Sequence, residues 1–274
     1  MRLHEMQQNK RKHLVWYAVG FVVVQCALSM GLETCWPALR DPDFDELQQI
    51  IHKRQAAAPG RPLFIVLGSS RTQLALRAEW LNQPGNPSAP VVVNCAIAGA
   101  GPMMHQVVLQ RLLRAGLKPQ MVFVECMPLS LSARKGSPIE ERHQSSGRFT
   151  AGEAVNLHHY FNEPYHLWYP WTFARLLPCH RHQSELRFAF GIDRAHTAPL
   201  SLVGRDEYGW SPCRTLFSTE EIERKTNSSL KAYMPALTQP ALAPGALHAL
   251  RDVVNLCRDN HIPVVFFEIG RAHV

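Results

Sequence analysis

Gly68, Ser69 and Ser70 follow directly on the apolar run Leu-Phe-Ile-Val-Leu at 63–67. A chain leaving a strand into glycine can turn sharply, because glycine carries no Cβ to clash. The hydroxyls behind it are then presented at the carboxyl end of a strand, where open α/β sheets bind their ligands. A serine held there becomes a nucleophile once a neighbouring base takes its proton. Ser70 is the candidate for that role. The competing use of the same residues is a plain strand-to-helix turn, with the Ser70 hydroxyl capping the helix.

Other chemistry-bearing residues read more weakly. Gly99-Ala100-Gly101 after a strand suggests a dinucleotide loop, but Met104 stands where the third glycine belongs and Pro102 follows at once, so no cofactor is expected. Arg71 either clamps an anionic substrate or lays its stem along the first helix. Seven cysteines (26, 35, 95, 126, 179, 213 and 257) show no CxxC or other ligand spacing, so zinc is not expected. Cys179 and Cys213 are the pair to test for a disulfide, and Cys179-His180-Arg181-His182 reads as a solvated loop.

The elements that position these residues alternate. Strands are expected at 63–67, 91–94 and 121–126, with helices at 72–81 and 103–115 between them and a last strand at 262–267. The strands are continuously apolar, as in a parallel sheet covered on both faces. In the second helix Met104, Val107, Val108, Leu112 and Ala115 form one stripe, with Gln106, Gln110, Arg111 and Arg114 mostly elsewhere. A helix at 43–54 lies in a connector, 33–61. The domain proper spans 62–267, interrupted by a helical insertion at about 130–212 with helices at 150–162 and 171–190. Tyr160, Tyr165, Trp168, Tyr169 and Trp171 cluster there, either lining a cleft or docking the insertion on its domain. Ser218 with Glu221 makes a capping box for a helix running toward Tyr233, and Leu247, Leu250, Val254 and Cys257 mark the helix before the last strand.

Composition sets the surroundings. With 46% hydrophobic and 19% charged residues the chain must bury a core. The net charge of +7 comes from scattered residues without a recognised nucleic-acid motif, so no nucleic-acid partner is expected. Residues 14–32 carry no charge and suit a transmembrane anchor. The basic tail 1–13 with Lys10-Arg11-Lys12 favours a cytoplasmic amino terminus, with Trp16, Tyr17 and Trp36 near the two headgroup levels. The rest of the chain is then extracytoplasmic, periplasmic or at the cell surface. A cleaved signal peptide is the competitor, but it needs a shorter apolar region and a small-residue cleavage site.

From 63 to 267 the chain resembles the SGNH (GDSL-like) hydrolase superfamily, in particular its membrane-anchored extracytoplasmic members. Gly68-Ser69-Ser70 is similar to the family's first block, and Asn94-Cys95-Ala96-Ile97-Ala98-Gly99 to its second. The Asp206-Glu207-Tyr208-Gly209-Trp210 run also resembles a signature of anchored relatives. The resemblance implies a three-layer α/β/α fold with a mainly parallel, flavodoxin-like sheet. It implies Ser70 as nucleophile and the Gly99 backbone N–H, with that of Ser70, as oxyanion-hole donors. Its reaction class is ester hydrolysis or O-acyl transfer on an acylated cell-surface or extracellular glycan, without metal or cofactor.

Two departures qualify this. The third block normally carries asparagine, and Glu125-Cys126-Met127-Pro128-Leu129 has none, leaving Ser130 or Ser132 as substitutes. Loss of one oxyanion donor costs about two to three orders of magnitude in rate. The family's carboxyl-terminal Asp-x-x-His, which supplies the general base, does not follow Phe267. Residues 268–274 read as a translated sequencing adapter, which includes His273, so the native chain is expected to continue differently after Phe267 or Glu268. Without its base the sequence as given is expected to be inactive. The alternative is a non-catalytic SGNH-fold protein that binds glycan or scaffolds an envelope complex.

Overall fold

The computed structural model describes residues 2–83, 85–134, 137–143, 145–191, 204–212, 218–238 and 241–270. Four parallel strands, β1 (Leu63–Leu67), β2 (Val91–Asn94), β3 (Met121–Glu125) and β4 (Val264–Phe267), form the central sheet in the order β2-β1-β3-β4. From β1 the chain moves to one side for β2 and to the other for β3. The carboxyl ends of β1 and β3 therefore flank the switch point where a doubly wound sheet opens a crevice. Leu63 pairs with Val91 and Val66 with Phe123, which levels the ends of the three strands.

The principal helices in chain order are α1 (Arg2–Thr34), α2 (Pro42–Ala57), α3 (Ser70–Ala75), α4 (Pro102–Arg114), α5 (Ala151–Leu157), α6 (Tyr165–Leu176), α7 (Thr219–Thr238) and α8 (Pro244–Asp259), with short helical segments at Pro37–Arg40, Pro128–Leu131, Pro178–Arg181 and Gln183–Ala189. One sheet face, with Leu63, Ile65, Leu67, Val91, Val93, Val122 and Val124, packs against α4, α8 and α2. Met104, Val107, Val108 and Leu112 of α4 are buried as their spacing predicts. Ala115 is exposed, because α4 ends at Arg114 and Ala115 is only its cap. Segment 33–61 is more than a connector, since Leu47 and Ile51 of α2 are fully buried in the same core.

The opposite face is only partly covered. Phe64, Val66, Val92, Phe123 and Phe267 line an apolar groove of about 260 Å³ bordered by Leu76 and Leu81. Among the described residues the expected third layer is thus partial, and the sheet, with its single apolar amino-terminal helix, defines a mixed α/β fold.

Over His13–Thr34, α1 is long and apolar enough to cross a bilayer, with a mean hydropathy of 1.8. Its second half touches the rest of the chain. Gln25 Nε2 lies 3.4 Å from Cys179 Sγ, and Glu33 pairs with Arg40 at 2.7 Å and with Arg175.

The insertion is richer than its sequence reading. A two-residue ribbon, Ala133–Arg134 against Ser137–Pro138, precedes α5, and α6 begins earlier than expected and continues through Pro170. A buried ion network ties this region down. Arg111 donates to Glu153 at 2.7 and 2.8 Å and to Asp41 at 2.5 Å, while Arg148 bonds Asp41 and reaches Asp43 at 2.8 Å. Arg111 is therefore not a surface residue of α4: it is 8% exposed, and two carboxylates neutralise it.

Candidate functional site

Ser69 and Ser70 divide the work of the β1 turn. Ser69 is the N-cap of α3, its Oγ accepting the Arg71 N–H at 3.3 Å. The capping role considered for Ser70 therefore belongs to its neighbour, and half-buried Ser70 is the first helical residue, on the wall of a cleft. Gly68 is required by contact: a Cβ there would lie 2.5 Å from Thr72 Cβ and 2.9 Å from Glu125 Oε2. Glu125 ends β3 and accepts the Ser69 N–H at 2.6 Å, fixing the turn from below.

Beside it lies His105, 3% exposed, whose ring nitrogens make no well-formed hydrogen bond. Burial pushes its pKa down to about 4, against the opposing pull of Glu125 and the Gly68 carbonyl, so the imidazole is neutral at physiological pH. Burial also pushes the Cys95 thiol up to about 12, which makes it inert packing material.

The second block runs alongside. The Cys95 and Ile97 N–H groups donate to the Val66 and Gly68 carbonyls at 2.8 and 3.0 Å, bringing this loop against the β1 turn. The Asn94 amide spans to the Thr72 and Leu76 carbonyls at 2.9 Å each, locking α3 over the end of β2. Gly99 has φ +76, a conformation natural to glycine, and a Cβ there would approach His143 Cβ to 2.7 Å.

Glu140 caps the helix that follows Gly101. Its carboxylate accepts the N–H groups of Gly101, Met103 and Met104 at 2.8, 3.0 and 2.8 Å. A carboxyl group of the chain itself thus takes the amide donors at the amino terminus of α4. Burial pushes the Glu140 carboxyl up to about 7, although these three donors favour its charged form.

Together these pieces enclose a cleft of about 280 Å³ at the switch point, walled by Ser70, Arg71, Gly99, Ser130, His143 and Tyr233 among others. Ser70 and Gly99, singled out from sequence, share this cleft. Arg71 also lines it, donating to the Ile269 carbonyl. Ser130 lines it as well, but its Oγ donates to the Met127 carbonyl at 2.7 Å; Ser132, bonded to the Pro128 carbonyl at 2.9 Å, is not part of the wall.

His143 and Tyr233 were not legible in sequence. His143 Nε2 and Tyr233 Oη lie 3.1 Å apart, joining the insertion to α7 across the cleft. Neither residue sits in a local motif that would have marked it.

The aromatic cluster is elsewhere. None of Tyr160, Tyr165, Trp168, Tyr169 and Trp171 lines the cleft; Tyr160 is buried, and Trp171 packs on the core with Arg175 stacked 4.0 Å from its ring. The docking role accounts for these two. The turn at 206–210 is structural too: Asp206 Oδ1 accepts the Tyr208 and Trp210 N–H groups at 2.9 and 2.8 Å, and the Tyr208 carbonyl accepts from Asn94 N–H at 2.8 Å. This turn covers the outer edge of β2.

Cys179 and His182 face α1 and its neighbours, and the proposed disulfide partner Cys213 lies outside the described residues. No protein-family model, curated protein or solved structure matches the chain.

Proposed function

We propose that this protein is an SGNH-type serine esterase or O-acyltransferase that acts outside the cytoplasm on an acylated cell-surface or extracellular glycan. The observation that carries this is one cleft at the sheet's switch point holding a serine free of capping duty, a left-handed glycine and an imidazole. Ser70 Oγ attacks the ester carbonyl while His143 accepts its proton. Backbone N–H groups at Ser70 and Gly99 hold the oxyanion. The proton then passes to the departing alkoxide, and water or an acceptor hydroxyl releases the acyl group from Ser70. In place of the inactivity expected from sequence, this reading gives the sequence as given a base of its own, His143 on the cleft wall. The glycan assignment rests on the resemblance and on the anchor.

A fluorophosphonate probe tests the reading. Wild type is expected to label, Ser70→Ala not at all, and His143→Gln about 10²-fold more slowly, within the usual contribution of a general base. Equal labelling of wild type and Ser70→Ala would falsify the nucleophile.

One observation favours a second reading, a non-catalytic glycan-binding or scaffold protein. Where the third block needs a side-chain donor, Glu125 supplies an acceptor and the Ser130 hydroxyl is committed to Met127. Glycan binding unaffected by Ser70→Ala, with no probe labelling, would select it.

A further inference from the structure

A second group of functional side chains lies outside the cleft, where the turn at His158–Tyr160 meets α8. His159, His248 and Asp252 each offer one donor atom, and the three atoms fall within 4.8 Å of one another. His159 Nε2 and His248 Nε2 both stand 3.8 Å from Asp252 Oδ2. His248 and Asp252 are one helical turn apart, so they share a face of α8. We infer that these residues form a surface site for a divalent transition-metal ion, with Zn(II) the best match.

The donor set suits that ion. Two imidazoles and one carboxylate leave a fourth position for water, a common arrangement in open zinc sites. Metal–ligand bonds of about 2.0–2.1 Å place tetrahedral donors about 3.4 Å apart. The two 3.8 Å separations therefore need to close by a few tenths of an ångström, and that between the histidines, within 4.8 Å, by up to about 1.4 Å, through rotation of the two exposed rings toward the carboxylate.

The support around the donors is better built than a chance surface cluster requires. Tyr160, 3% exposed, donates its hydroxyl at 2.6 Å to Asp252 Oδ2, the oxygen nearest the two histidines, and so fixes its position while leaving it a second lone pair. Such outer hydrogen bonds orient metal ligands. The Tyr160 ring also lies 4.0 Å from that of His159 and edge-on to His248 at 5.5 Å. Gly245 lets α8 press directly on this turn, since any Cβ there would overlap the Tyr160 carbonyl oxygen. The spacing between His159 and the helix is therefore set by backbone contact rather than by flexible side chains. A bound ion would clamp the insertion to α8. That helix begins immediately after Ala243, whose N–H donates to the Leu131 carbonyl, close to the cleft wall.

The test uses the full chain, stripped with chelator and dialysed against Zn(II) or Co(II). Wild type and Cys179→Ala are expected to bind about one equivalent of zinc, with Co(II) giving the visible bands of a tetrahedral site. His248→Ala and His159→Gln are expected to lose those bands and to bind zinc at least about ten-fold more weakly, and Tyr160→Phe to weaken it about ten-fold. Both histidines are exposed, so the metal-free variants should melt as wild type does. Ser70→Ala is expected to bind as wild type, which separates this site from the proposed reaction. Equal zinc uptake by wild type and the His159→Gln/His248→Ala double variant, or cobalt bands that survive in it, would overturn the assignment.

Discussion

Glu125 Oε2 holds the backbone N–H of Ser69 at 2.6 Å, from the end of one strand to the turn that follows its neighbour. This bond spans the switch point and sets the level at which Ser70 emerges. Its partner oxygen, Oε1, is buried without a hydrogen bond, so the residue tolerates an unsatisfied acceptor to keep the turn in place. Hydrogen bonds to charged groups contribute about 1.5–3 kcal/mol. Glu125→Ala is expected to destabilise by about that amount in urea titrations and to slow probe labelling at Ser70. Glu125→Gln retains an acceptor for Ser69 and should recover most of the labelling. Labelling equal to wild type in Glu125→Ala would show that the turn holds itself.

Glu140 makes the cleft's framework sensitive to pH. Its carboxyl is raised by burial from 4.5 to about 7, so between those values the folded state binds more protons than the unfolded one. Its contribution is complete below pH 4.5 and is lost as pH rises through about 7. At 1.36 kcal/mol per pKa unit the change is about 3 kcal/mol. Glu140→Gln removes this titration. The stability difference between wild type and variant, measured by urea unfolding at pH 4.5 and 8, should therefore move against wild type at the higher pH. A constant difference would mean that the three N–H donors keep the carboxylate ionised throughout.

Asp41 works in the opposite sense. Burial pushes its carboxyl up, but the Arg148 and Arg111 guanidiniums overcome this and hold it at about 2, below the ordinary 3.8. Its stabilisation is present above pH 3.8 and lost as pH falls through about 2, amounting to about 2 kcal/mol. Removing Arg111 leaves buried Glu153, 4% exposed, without its guanidinium partner and leaves Asp41 with Arg148 alone. Arg111→Ala is expected to cost about 3–5 kcal/mol, the usual price of an uncompensated buried charge. Arg111→Ala paired with Asp41→Asn should cost less than the sum of the two single changes, because each single change already removes the bond between the two residues.

The strands, α4 and α8 were legible because each is decided by its own residues. Residues 91–93 and 63–67 are apolar runs, and nothing distant is needed to place them. The burial of Arg111 was not legible, because its neutralising carboxylates come from residues 41 and 153. Glu140 and His143 were missed for the same reason: they reach the Gly99 loop from the irregular stretch between the short ribbon and α5, where periodicity gives no direction. Glu125 did carry a signal that could have been used. A carboxylate closing the apolar run 121–124 is costly unless a buried donor waits for it.

The turn at 206–210 gives the sharpest test of an element known beforehand only by resemblance. Gly209 has φ +88, and a Cβ there would overlap the Asn94 carbonyl oxygen and come within 3.0 Å of its carbonyl carbon. The backbone at this point cannot retreat easily, since Asn94 N–H is bonded to Tyr208 and the Trp210 indole N–H donates to the Leu74 carbonyl at 2.6 Å. Arg77 adds a cation–π contact 4.6 Å from the Trp210 ring. Gly209→Ala therefore meets both conformational strain, about 1–3 kcal/mol, and a direct backbone clash. It is expected to destabilise by more than Asp206→Ala, which removes acceptors but adds no overlap. Hydrogen exchange reads the consequence locally: the Asn94 amide should lose protection in Gly209→Ala while the Val122 amide, bonded on the far side of the sheet to Pro263, keeps its own. If both amides respond equally, the turn is part of the global folding unit rather than a cover for the edge of β2.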